Sequence, residues 1–168
     1  GIEACGASHH WARELVRLGH EVKLIPPIYV KPYVKRGKSD AADVEAICES
    51  VTRPSMRFVV IKTPDQQAIL ALHRTRDLVV RQRTQTINML RAQLAGFGIV
   101  FPQGVGHATK FAKHLFEGEC PELPDTAGGV IAELCEQILF LHGKIANYTH
   151  EMTQVARRED RVALLQTI

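Results

Sequence analysis

Between residues 131 and 155 the apolar side chains fall alternately three and four apart: Ile131, Leu134, Ile138, Leu141, Ile145, Tyr148, Met152 and Val155. Only an α-helix lines up such a series. A stripe of two positions in seven sustained this long asks for a second helix laid along it. That partner can be another part of the chain folded back antiparallel, or a second copy joined as a homo-oligomer through residues 131–155. The intrachain arrangement has a ready donor in residues 63–95. There Thr63-Pro64-Asp65 opens a long helix, Ile69, Leu72, Val79, Ile87, Leu90, Leu94 and Phe97 run along it, and Gly96 and Gly98 end it. Residues 101–106 read as a loop, 108–116 as a short helix, and Asp125 or Thr126 as the cap of the seam helix.

Upstream the pattern changes. Residues 2–6 read as the end of a buried strand and a turn. Residues 8–18 form a helix carrying Trp11, Leu15 and Leu18, with Ser8 as a cap and Gly19 as a stop, and 21–25 a second strand ended by Pro26 and Pro27. A β-α-β passage implies a parallel pair, and ligands of such sheets gather beyond the carboxyl ends of the strands. Glu3 sits at one of these ends. Residues 38–52 give another helix and 57–61 a short strand or extended connection. The fold expected is α/β plus helical: an α/β part followed by a long-helix coiled-coil segment.

Charge is distributed unevenly. Residues 1–62 hold 10 Lys/Arg against 7 Asp/Glu, residues 63–116 hold 7 against 2, and residues 117–168 reverse to 4 against 9. A surface for a polyanion therefore belongs to the first two thirds. The four cysteines, Cys5, Cys48, Cys120 and Cys135, form no CxxC pair, which argues against a zinc site or disulfide framework and for reduced thiols. No apolar run approaches a membrane span and no export signal opens the chain, so a cytoplasmic location is expected. The start, without a methionine and already inside a strand, and the end, inside an element, both suggest a fragment.

Asp40 and Asp43 stand three apart behind Ser39, a good N-cap, which puts both carboxylates on one face of the first helical turn. Two readings stay open. Capping and dipole compensation account for most acids in that position, whereas paired carboxylates also suit a hard cation such as Mg2+, with Lys31, Lys35, Arg36 and Lys38 drawing phosphate beside it. Glu3 would complete a cluster of the kind in which ions clamp the oxygens of a scissile phosphate. Arg74, Arg76, Arg81 and Arg83 on the long helix can track a nucleic-acid backbone or form a solvated face. His9-His10, His107 and His114 lack ligand spacing and read as structural or solvent-facing. There is neither a P-loop nor a nucleophile elbow.

Several segments together carry a resemblance: I-E-A-C-G at 2–6, W-A-R-E-L at 11–15, G-H-E-V-K-L-I-P-P at 19–27, Y-V-K-P-Y-V-K-R at 29–36, S-D-A-A-D-V-E-A-I at 39–47, T-R-P at 52–54, Q-Q-A-I-L-A-L-H-R-T-R at 66–76 and F-G-I-V at 97–100. They closely resemble the DEDD-type insertion-sequence transposases related to the Piv DNA invertase. The resemblance implies a bacterial DNA recombinase with a RuvC-like, RNase H-type domain, four metal-binding acids and Mg2+, a coiled-coil insert, DNA as substrate and, in some members, a structured guide RNA as partner. Glu3 then matches the second acid, and Asp40 and Asp43 the closing pair, as catalytic and metal-binding residues. It also implies that residues 1–62 are a partial RuvC-like domain, 63–157 the coiled-coil region and 158–168 the start of a missing C-terminal domain with its serine nucleophile. A chain with three of the four acids would be inactive alone. The competing expectation is a non-catalytic remnant that binds nucleic acid and dimerises.

Overall fold

The computed structural model describes residues 1–34, 39–119 and 121–158. It divides into two compact units, Gly1–Gln67 and Ala68–Ile168. In the first, strands β1 (Ile2–Glu3) and β2 (Leu24–Ile25) pair in parallel, Ile2 opposite Leu24 and Glu3 opposite Ile25. Helix α1 (Ser8–Arg17) makes the crossover and packs on both strands. It ends where the sequence places the stop. Gly19 adopts φ of 89° and donates to the Val16 carbonyl while His20 donates to that of Leu15, a closure that only a residue free of Cβ strain makes easily.

The strands are shorter than the sequence suggests. Residues 21–25 contribute only Leu24 and Ile25, and residues 57–61 reduce to one antiparallel bridge, Val59 N–H to the Leu24 carbonyl at 2.7 Å. Pro27 begins a helix instead of merely ending a strand. Proline's fixed φ suits the first helical position, where no N–H is needed, and α2 (Pro27–Val30) runs into a 3-10 turn at Lys31–Tyr33. Helix α3 (Asp40–Val51) packs on β2, α2 and that turn, and Ile25, Val30 and Ala46 form the small core between them.

Helix α1 turns a different face inward from the one its large apolar residues mark. Ser8 and Ala12 are buried, whereas Trp11 and Leu18 are 58% and 70% exposed. Ser8 is also no cap: its hydroxyl accepts from Cys5 N–H and donates to the Cys5 carbonyl, closing the turn before the helix. Small residues win this contact because the helix lies close against the strands.

Helix α4 (Pro64–Ala95) starts in the first unit and continues through the second, where α5 (Val105–Phe116) and α6 (Asp125–Arg158) join it. Gly98 at φ 75° ends α4, with Ile99 N–H donating to the Leu94 carbonyl. Helix α5 begins at Val105, three residues before the expected start, because Gly104 takes a φ of 119° there. Ile87, Leu90 and Leu94 of α4, Ala108, Ala112 and Leu115 of α5, and Ile131, Cys135 and Ile138 of α6 share one core. Val79 meets Leu141 and Ile145 in a second cluster, and Arg76 reaches Thr149. Descending numbers on α4 meet ascending numbers on α6, so the pair is antiparallel. The seam is thus covered from within the chain over residues 131–145, and the homo-oligomer expected through 131–155 is not needed to bury it. The element expected at the end of the chain lies largely outside the described residues.

Candidate functional site

Glu3 closes β1 and stands, half-buried, at the carboxyl end of the parallel pair. Asp40 and Asp43 occupy the first turn of α3, both exposed. The helix start is fixed as the sequence requires: extended Ser39 accepts the Ala42 N–H on its hydroxyl at 3.3 Å, and Asp43 N–H donates to the Ser39 carbonyl. With Ser39 capping, the two aspartates are left to solvent. Among the described residues no ion pair engages Glu3, Asp40 or Asp43.

Three carboxylates offer the hard oxygen donors that a divalent cation takes. Placement is a separate matter. Among the described residues no three His, Cys, Asp or Glu side chains gather closely enough to hold a metal ion. The donor chemistry suits the cation and the arrangement does not.

The expected cations separate into three groups. Lys35, Arg36 and Lys38 lie outside the described residues, and Lys31 is exposed on the 3-10 turn. Arg74 and Arg81 are exposed on α4. Arg76 and Arg83, half-buried, turn to α6: Arg76 Nε donates to Thr149 Oγ1 at 3.0 Å, and Arg83 lies 3.1 Å from His142 Nδ1. Burial first, and then the charge of Arg76, lowers the Arg83 pKa. Among the described residues its Nε is buried without a hydrogen-bond partner. Periodicity alone cannot separate these pairs, since the turn toward α6 is set by the hairpin.

His9 and His114 both have structural partners. His9 Nδ1 accepts the Lys62 N–H at 3.2 Å, and Arg13 donates to the Lys62 carbonyl and to Gln67. His114 and Glu119 pair at 2.6 Å beside the end of α5. Arg91, missed as a structural residue, donates to the carbonyls of Phe101 and Pro102 and lies over the Phe101 ring, which stacks on Phe111. Cys5 and Cys48 are exposed free thiols, Cys135 is buried, and Cys120 lies outside the described residues. No described helix is long and apolar enough to cross a membrane.

The comparisons with known proteins agree among themselves. A protein of Pseudomonas aeruginosa named as a probable family 20 transposase is 41% identical over 99% of this chain and 50% of its own length. The transposase for insertion sequence element IS1328 of Yersinia enterocolitica is 42% identical over 88% of this chain and 45% of its own. The transposase for insertion sequence element IS1111A of Coxiella burnetii is 35% identical over 99% and 46%. The chain therefore spans about half the length of these curated relatives. No solved structure matches it. The profile of the IS110-type DEDD transposases, described as transposase, matches residues 1–99, a stretch that holds Glu3, Asp40, Asp43 and the arginines of α4. The chain belongs to the IS110 family of DEDD transposases.

Proposed function

We propose that this chain is part of an insertion-sequence transposase, a Mg2+-dependent DNA recombinase in which Glu3, Asp40 and Asp43 belong to the metal-binding acids and a structured guide RNA is a partner. The observation that carries the reading is the family match over residues 1–99, which includes all three acids. Supporting it, Glu3 ends a parallel strand and Ser39 frees both aspartates for solvent. In this reading residues 1–62 form a RuvC-like module and 63–157 a coiled-coil region. Exposed Lys31, Arg74 and Arg81 contact the phosphate backbone. In this reading the chain alone is inactive in strand cleavage.

Calorimetric titration with Mg2+ in the presence of nucleic acid tests the acids. The double variant Asp40→Asn, Asp43→Asn should lower the affinity at least about tenfold, roughly 1.4 kcal/mol. Unchanged affinity would leave the second reading, a nucleic-acid-binding module without a metal site. That module would still lose its nucleic acid steeply as salt rises.

A further inference from the structure

Between α2, the 3-10 turn and the residues that follow α3 lies a concavity of about 300 Å3 that the carboxylates do not explain. Its walls are Tyr29 of α2, Tyr33 of the 3-10 turn, and Arg53, Met56 and Arg57 beyond α3. Tyr33 is half-buried against the core of Ile25, Val30 and Ala46, which holds its ring. The Arg53 guanidinium lies 5.4 Å from that ring's centroid and pairs with Glu49 on the exit side of α3. Tyr29 is 44% exposed and Arg57 is exposed. One wall is therefore rigid and the other reachable.

The volume is at the small end of ligand sites, enough for one planar ring and its substituents. A reachable phenol ring beside guanidinium groups is what unpaired bases meet on proteins that hold single strands: the ring stacks on the base, and arginine stacks or answers the phosphate. A paired base, covered on both faces by its own stack, has no surface to offer here. We propose that this pocket holds one unpaired nucleotide of a nucleic-acid strand, Tyr29 receiving the base and Arg57 the phosphate. The proposal rests on the nucleic-acid reading above and assigns it a specific contact.

The test is an anisotropy titration of the full chain with end-labelled oligothymidine, oligouridine and a DNA duplex at fixed salt. The single strands should bind more tightly than the duplex. Tyr29→Ala, at an exposed position, should weaken them about tenfold or more while duplex binding stays put. Tyr29→Phe should restore the affinity, and Arg57→Ala should lower the salt dependence by about one phosphate contact. Preference for either the thymidine or the uridine strand supports the pocket and names its source. Tyr29→Ala binding single strands like the parent, or losing duplex equally, overturns the pocket and leaves the wider reading intact. A parent chain that binds neither strand nor duplex overturns both.

Discussion

The two units bury their apolar residues to very different extents. In the helical unit Leu90, Leu94, Cys135 and Ile138 are fully enclosed between three helices. The first unit has a core of Ile25, Val30 and Ala46, beside strands of two residues each, and it leaves Trp11, Leu18, Ile28 and Val60 in contact with solvent. Helices satisfy their own backbones, so three of them close a core wherever their stripes meet. A sheet satisfies its backbone only through neighbouring strands, and a two-stranded pair is marginal without further cover. Stability should therefore concentrate in the helical unit, and the candidate site lies in the less enclosed one.

The largest test of that contrast is Leu94→Ala, which should cost about 2–5 kcal/mol in urea unfolding, since the position is fully buried. Trp11→Ala, although it removes more atoms, should cost well under about 1 kcal/mol because the ring is already wet. A Trp11 loss as large as that at Leu94 would break the comparison. Next in size is an alkaline effect. Burial pushes the Cys135 thiol up from 9.0 to about 11. The unfolded chain then gives up this proton before the folded one does, so stability falls as pH rises from about 9 to 11, by roughly 2 kcal/mol, and Cys135→Ala should flatten that part of the pH profile. A further effect is at the start of α3: Ser39→Ala should cost about 1 kcal/mol and speed amide exchange at Ala42, whose N–H the serine accepts. Unchanged exchange there would show that the cap is not formed in solution.

Much of the chain was legible residue by residue. The seam at 131–155, the long helix over 63–95, the glycine stops at 19 and 98, the Ser39 cap and the parallel β-α-β order all follow from periodicity and turn chemistry, which act over a few residues. The places of Glu3 at a strand end and of Asp40 and Asp43 behind a cap follow from the same local rules. What failed was anything set by packing between elements. The buried face of α1 belongs to Ser8 and Ala12 rather than to Trp11 and Leu18. The strands shrank, and Arg76 and Arg83 turned to α6 while Arg74 and Arg81 stayed in solvent.

By itself, then, the sequence determined where helices begin and end and that residues 131–155 need a partner, because hydrogen bonds within a helix and the conformations allowed to glycine, proline and serine are local. Only the tertiary structure decided that the partner is α4 of the same chain and which cations it consumes. It also decided that Tyr29, Tyr33, Arg53 and Arg57 share one pocket while Glu3, Asp40 and Asp43 do not gather into a three-acid cluster. Those outcomes depend on how closely two surfaces approach, and side-chain volumes far apart in the chain set that distance.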